Sequence, residues 1–327
     1  MRGAFPSKLE PMKATLAKGL PERDELYGFE FKWDGVRALT YVKKGEVCVQ
    51  SRNLLDVTAQ YPELTGVGER LAPRTAVLDG EIVALDEKGR PSFQRLQGRM
   101  HVASPAEVRR RMAEVPVAYL VFDVLYLDGR STMPLPYTER RELLEGLPIA
   151  GPSCQVPPHQ RVGGPTMFEA SRRAGLEGVM AKRLDSVYEP GRRSRAWLKV
   201  KNHRRQEFVI GGFTTGEGRR EGRVGALLLG YYDGGELRYA GHVGTGFTDR
   251  MLDELEELLR PLRRDTSPFA GTPRLKNATF VEPQLVGEVE FSEWTRSGTL
   301  RQPSFKGLRE DKDPRQVVRE EPPDGNM

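Results

Sequence analysis

Cysteine is nearly absent from this 327-residue chain: only Cys48 and Cys154 occur. Their separation matches no metal-ligand spacing and offers no disulfide framework, so a reducing cytoplasm is the simplest setting. Histidine is scarce at four residues, and no two of them form a metal-type pair. No apolar run approaches the length of a membrane span, and the N-terminus has no signal-peptide core; no membrane partner is expected. Serine and cysteine triads find no support. Gly244-Thr245-Gly246 lacks both the third glycine of a dinucleotide fingerprint and the Gly-Lys-Ser/Thr ending of a P-loop. Internal repeats and low-complexity tracts are also missing.

What is present describes an ordinary globular composition, 38% hydrophobic and 30% charged, long enough for two domains. The balance of 51 Lys+Arg against 46 Asp+Glu gives a net charge of +5. That is compatible with a polyanionic partner, although many proteins of mixed charge are slightly basic.

The first two-thirds of the chain mixes strands and helices. Residues 38–51 alternate about a Lys-Gly-Glu turn and read as a hairpin. A second β segment runs from Thr75 to Leu85. A third, Val117 to Leu127, is almost continuously apolar and is expected to be buried on both faces. Ser104-Pro105-Ala106-Glu107 and Thr166-Met167-Phe168-Glu169 have the form of capping boxes, the first opening a helix to about Glu114, the second a helix closed by Gly175. Residues 137–146 form a third short helix. Near residues 202–206 the pattern changes to short strands with Gly-rich turns: Glu207 to Phe213, Ala226 to Tyr232, Leu237 to Val243 and Val286 to Trp294. One amphipathic helix, with Leu252, Leu255, Leu258, Leu259 and Leu262 on its apolar face, interrupts them. A small barrel such as an OB-fold suits this pattern, with a sandwich as the alternative. The boundaries expected are 1–203, 204–313 and a mobile tail at 314–327.

Chemistry concentrates in Lys32-Trp33-Asp34-Gly35-Val36-Arg37. A lysine amine attacks phosphorus only when unprotonated, which calls for a desolvated or cation-rich site. Asp34 and Gly35 suit a tight turn straight after it, and glycine permits close backbone approach. A solvated surface hairpin is the plain alternative. Glu81, in Leu78-Asp79-Gly80-Glu81-Ile82-Val83, stands before an apolar strand as a ribose or metal contact, or as a strand-end turn. Phe122 is a stacking platform for a purine or simple core. Glu177, in Glu177-Gly178-Val179-Met180-Ala181-Lys182-Arg183, is a second carboxylate suited to a hard cation such as Mg²⁺. In Trp197-Leu198-Lys199-Val200-Lys201 the two lysines point to one face of a strand, an unfavourable pairing unless they share an anion. Arg192, Arg193, Arg195, Arg204 and Arg205 make this the most basic stretch. Arg309, Asp311 and Lys312 follow a Gly-containing segment near the C-terminus.

The ordered set Lys32-x-Asp34-Gly35-x-Arg37, Ser51-Arg52-Asn53, Asp79-Gly80-Glu81, Phe122-Asp123, Glu177-Gly178-x-x-x-Lys182, Trp197-Leu198-Lys199-Val200-Lys201 and Arg309-x-Asp311-Lys312 resembles the motifs of the covalent nucleotidyltransferases. These comprise ATP-dependent DNA ligases, RNA ligases and mRNA-capping enzymes. The match runs over almost the whole chain, and two phrases, EGVMAKRLDSVYEPGRRSRAWLKVKN and PSFKGLREDK, are most similar to the ligase module of the bacterial end-joining ligase D family. The resemblance implies an α+β protein: an ATP-grasp-like mixed α/β adenylation domain followed by an OB-fold β-barrel. It implies ATP as cofactor, with AMP carried on Lys32, and Mg²⁺ or Mn²⁺ on Glu81 and Glu177. Glu30 and Phe122 would hold the adenine, and Arg37 and Arg52 would contact the sugar and the DNA 5′-phosphate. Glu81 would touch the ribose or metal, Lys199 and Lys201 the α-phosphate. Arg309, Asp311 and Lys312 would orient the leaving pyrophosphate, and Arg192, Arg193, Arg195, Arg204 and Arg205 would line the DNA. Asp34 belongs to the catalytic set through its place in the nucleophile motif.

One departure stands out: Leu54 follows Ser51-Arg52-Asn53 where the family usually has glycine. If that glycine serves a positive φ, Leu is costly there, unless Asn53 carries the conformation instead. The implied partner is nicked duplex DNA, with a Ku-like end-joining protein as a second. The chain is expected to be a nucleoid-associated cytoplasmic monomer. An RNA ligase or capping guanylyltransferase is the near alternative, and a non-catalytic OB-type nucleic-acid-binding protein the distant one.

Overall fold

The computed structural model describes residues 4–320, apart from 101, 103, 203, 217, 219–220, 272–276 and 296. The chain divides after Asn202 into two compact units.

The first unit contains two sheets, with strands numbered in chain order. One has the order β1 (Lys13–Leu16), β11 (Arg193–Lys201), β10 (Gly178–Arg183), β2 (Tyr27–Lys32), β9 (Gln160–Arg161). It is antiparallel except for β1 against β11. The other has the order β4 (Glu46–Ser51), β3 (Val36–Lys43), β5 (Thr75–Ala84), β6 (Val117–Leu127), β7 (Arg130–Ser131), with β8 (Cys154–Gln155) also on β6. Helices α1 (Gly66–Leu71), α2 (Phe93–Gln97), α3 (Pro105–Glu114), α4 (Tyr137–Glu145) and α5 (Gly164–Arg173) pack around them.

Alternation within the strands sets the layers. Val117, Tyr119, Val121 and Val124 of β6 enter a core shared with Tyr61, Leu64 and Val67. Phe122, Leu125 and Tyr126 instead join Met12, Tyr188 and Trp197, from the first sheet and its connections. Burial of β6 on both faces is therefore as expected. The far face of the first sheet buries Phe29, Val179, Ala181, Leu198 and Val200 with Met167 of α5. The hairpin β3–β4 turns at Lys44 (φ 53°) and Gly45 (φ 88°), the paired positive angles of a two-residue turn.

Two helix starts differ from the capping-box reading. At α3, Ser104 is the N-cap with extended backbone, but its side chain makes no cap hydrogen bond. At α5 the cap is Gly163, in the left-handed region, three residues before Thr166, so Thr166 lies inside the first turn. The free N–H groups of Gly163 and Gly164 donate instead to the Asp24 carboxylate, at 2.6 and 3.1 Å. A partner 139 residues away replaced the local one.

In the second unit the sheet order is β14 (Glu236–Val243), β13 (Val224–Asp233), β12 (Arg204–Thr215), β16 (Ala278–Phe291), β15 (Arg263–Arg264), with β19 (Ser304–Leu308) also pairing with β16. A short pair joins β17 (Glu293–Trp294) to β18 (Leu300–Arg301). Helix α6 (Asp249–Leu259) is capped by the Thr248 hydroxyl and inserts Leu252, Leu255 and Leu259 into the barrel core. The 14-residue β16 curves past both β12 and β19; this gives an OB-like half-barrel. Part of the segment expected as a tail, 314–320, meets the sheet. Val317 is buried and its carbonyl accepts the Tyr232 N–H at 2.7 Å, because an apolar side chain and a carbonyl both find partners on β13. The remainder of that tail, 321–327, lies outside the described residues. Among the described residues, no helix is long and apolar enough to cross a membrane.

Candidate active site

Strand pairing assembles the site. Across the first sheet, Lys32 of β2 stands opposite Gly178 of β10, and Gly178 opposite Lys201 of β11. One step along, Glu30, Met180 and Lys199 form the next row, and Gly28, Lys182 and Trp197 the one after. Residues two apart share a face, so Glu30, Lys32, Lys182, Trp197, Lys199 and Lys201 all point away from the α5 core. Gly178 is required at the centre of the first row because β10 and β11 approach closely there: a Cβ would lie 2.0 Å from the Val200 carbonyl oxygen. The residue before it, Glu177, brings its carboxylate to this row. It contacts the Lys32 amine, and its other oxygen is 3.3 Å from Lys201 Nζ. Lys32 and Lys201, neighbours on that face, thus meet on one carboxylate, Glu177, which balances their like charges.

Glu30 anchors the second cluster. Its Oε1 accepts from Tyr137 Oη at 2.6 Å, its Oε2 is 2.8 Å from Lys182 Nζ, and Arg141 Nη1 is 3.8 Å away. Burial pushes the Glu30 carboxyl up, but Lys182, Arg141 and Tyr137 together outweigh it and hold the group below the usual range. Lys182 is itself buried, and that burial pushes its ammonium down against the pull of Glu30. Its Nζ lies 4.3 Å from the ring centres of both Phe122 and Trp197.

Arg37 is clamped by the fully buried Asp79 through two 2.6 Å hydrogen bonds, and Tyr188 Oη donates to the same carboxylate. The pair holds the guanidinium 4.8 Å from the Phe122 ring centre. Glu81 stands opposite Arg37 in the β3–β5 register. Asp34 and Arg52 are half-buried on the loops after Lys32 and Ser51. Gly35 has no positive φ; it is needed because a Cβ would meet the Ile82 carbonyl oxygen at 2.2 Å. The close approach seen here is to β5. At the departure from the family pattern, Leu54 itself takes the positive φ (63°), and Asn53 does not.

In the second unit, Arg309 forms a two-point pair with Asp311 at 2.9 and 3.0 Å and reaches Glu288 at 3.4 Å. Lys312 pairs with Glu207 at 2.8 Å. Arg192, Arg193, Arg195 and Arg204 are exposed. Arg193 donates to the Ala14 carbonyl, Arg192 lies 3.6 Å from Glu189, and the half-buried Arg205 pairs with Glu290 at 2.8 Å. Among the described residues, no three His, Cys, Asp or Glu side chains converge as a metal cage. One or two carboxylates beside lysines fit Mg²⁺, which keeps waters and substrate phosphates as its other ligands.

Residues 11–201 match the family described as ATP dependent DNA ligase domain, and residues 220–312 the ATP dependent DNA ligase C terminal region. The chain belongs to the ATP-dependent DNA ligase family. It is 45% identical over 315 residues to the Mycobacterium tuberculosis multifunctional non-homologous end joining DNA repair protein LigD. That alignment covers 95% of this chain but only 40% of that protein. A DNA ligase of Thermococcus fumicolans is 36% identical, covering 93% of this chain and 55% of that one. Among solved structures, mycobacterial DNA ligase D complexed with ATP and MES aligns with a TM-score of 0.67 and 43% identity. The alignment covers 95% of this chain and 98% of that one. Membership of the DNA ligase family sets aside the RNA-ligase, capping-enzyme and non-catalytic barrel alternatives.

Sequence reasoning passed over Asp79, Tyr137, Arg141 and Lys182 of this ligase as site-wall residues. Tyr137 and Arg141, four apart on α4, share a helix face, a signal the sequence does carry. That this face meets Glu30 is fixed only by the tertiary fold.

Proposed function

We propose that this ligase seals 5′-phosphate/3′-OH nicks in duplex DNA through AMP carried on Lys32. The observation that carries the reading is the convergence of Lys32 and Lys201 on Glu177, on the strand face that also bears Glu30 and Lys199. The unprotonated Lys32 amine attacks the α-phosphorus of ATP; a P–N bond forms and the bond to the pyrophosphate oxygen breaks. Lys199 and Lys201 neutralise the α-phosphate as charge develops, which is most of what phosphoryl-type transfer asks of a protein. Asp34 fixes the turn behind the nucleophile. Glu30 and Phe122 hold the adenine, Glu81 the ribose, and Arg37 and Arg52 the sugar and the incoming DNA 5′-phosphate. Arg309, Asp311 and Lys312 orient the leaving pyrophosphate. A Mg²⁺ or Mn²⁺ ion held by Glu177 and Glu81 would supply Lewis-acid stabilisation of phosphate charge. The DNA 5′-phosphate then displaces Lys32 from AMP, and the 3′-OH displaces AMP to close the strand.

Kinship with end-joining proteins supports double-strand-break repair on nucleoid DNA with a Ku-like partner, with Arg192, Arg193, Arg195, Arg204 and Arg205 along the duplex. Intact and peptide mass spectrometry after incubation with ATP tests the central step. An AMP adduct on Lys32, absent from Lys32→Ala, is expected. Covalent labelling of Lys32→Ala, or none of the natural chain, overturns the mechanism.

A further inference from the structure

Helix α4 grips the wall that the proposed function assigns to adenine, and it does so at two points. Tyr137, fully buried, donates its hydroxyl proton to Glu30 Oε1 at 2.6 Å. One turn on, Arg141 brings Nη1 to 3.8 Å from the same oxygen and 3.5 Å from the Phe122 carbonyl oxygen. Its Nη2 is held by the Pro157 carbonyl at 2.8 Å and by Glu145 at 2.9 Å. Lys182, Glu30, Arg141 and Glu145 therefore form a row of alternating charge leading from the pocket wall to the half-exposed Glu145.

A carboxylate gripped from both oxygens cannot rotate freely. Once ionised it only accepts hydrogen bonds. An acceptor-only group favours a base edge that offers a donor, such as the C6 amine of adenine. It disfavours one that offers a carbonyl there, as guanine does, because two acceptors would be left facing each other.

We infer that Tyr137 and Arg141 are positioning residues for nucleotide selection: they act through Glu30 and the Phe122 backbone to fix the base-reading wall. The inference rests on the assignment of Glu30 and Phe122 to adenine. A purely structural role for α4 is the competing account, since removing one partner of a buried ion pair destabilises a protein whatever its function.

Self-adenylylation measured against ATP and GTP concentration separates the two. Tyr137→Phe keeps the ring and deletes only the hydroxyl. Its half-saturating ATP concentration is expected to rise on the order of tenfold, the loss of one hydrogen bond to a charged group. The rate at saturation should stay within about threefold, so that the loss falls on binding. The preference for ATP over GTP should drop with it. Arg141→Met should shift both quantities the same way and Arg141→Lys should recover part of the loss. If Arg141→Met does not fold, Tyr137→Phe decides alone. An unchanged half-saturation and ATP preference in Tyr137→Phe overturns the inference while leaving the ligase mechanism standing. A natural chain that forms no adduct on Lys32 overturns the mechanism, and this inference with it.

Discussion

Leu54 shows what a single residue can store. Its φ of 63° is held by hydrogen bonds from its own N–H to the Ser51 carbonyl and between Ser51 N–H and the Leu55 carbonyl, with the Leu55 N–H on the Ser51 hydroxyl. A left-handed L-residue costs roughly 1–2 kcal/mol, part of which glycine gives back through its freer unfolded chain. Leu54→Gly should therefore stabilise the fold by about 0.5–1 kcal/mol, read as an upward shift in the denaturation midpoint. A midpoint that falls would mean that the Leu side chain contributes more by packing than the backbone loses. The possibility of strain was visible in the sequence as a missing glycine. Which of Asn53 and Leu54 would bear it was not, because the choice depends on the closure of the Ser51 turn.

At the scale of elements, α5 and α6 make opposite lessons. The cap of α6, Thr248, lies in the adjacent sequence, and its apolar stripe of Leu252, Leu255 and Leu259 is the buried face. Leu255→Ala should cost about 2–5 kcal/mol, seen in urea unfolding; a cost under about 1 kcal/mol would mean that the stripe is not core. For α5 the closing Gly175, at φ 68°, was readable but its start was not, since Asp24 supplies the cap from another part of the chain. Asp24→Ala should remove about 1 kcal/mol, whereas Thr166→Ala should be close to neutral. The reverse ranking would restore the local capping box. The site follows the same division. Lys199 and Lys201 share a face by strand period alone, and that much is sequence information. The row Lys32–Gly178–Lys201 and the meeting of α4 with Glu30 are products of strand order and helix docking, which no local pattern encodes.

For the whole molecule, pH and salt act on different charges. Burial raises the Asp311 carboxyl, but Arg309 and Lys312 outweigh it and hold it below its usual range. A depressed folded-state value means that its stabilisation is present above the unfolded value of about 3.9 and is lost as pH falls through the folded one. Glu30 has the same sign. Thermal stability should therefore fall on acidification below about pH 4. Asp311→Asn should flatten its share of that fall, and an equally steep acid limb in the variant would remove Asp311 from the account. Affinity for nicked duplex should weaken steeply with added salt, with a log–log slope near −0.9 for each phosphate neutralised by the exposed arginines. A flat response would leave no role for Arg192, Arg193, Arg195 and Arg204 on DNA.

The contact between the Lys32 amine and the Glu177 carboxylate has a consequence outside catalysis. An amine and an acid in touch are substrates for zero-length crosslinking. A water-soluble carbodiimide should join them as an isopeptide, with loss of one water, and so tie the end of β2 to the start of β10. Prior charging with AMP should block the Lys32 amine and leave Glu177 only its neighbour Lys201, 3.3 Å away, to join. The molecule would then carry a chemical record of whether its nucleophile was idle or loaded at the moment the reagent was added.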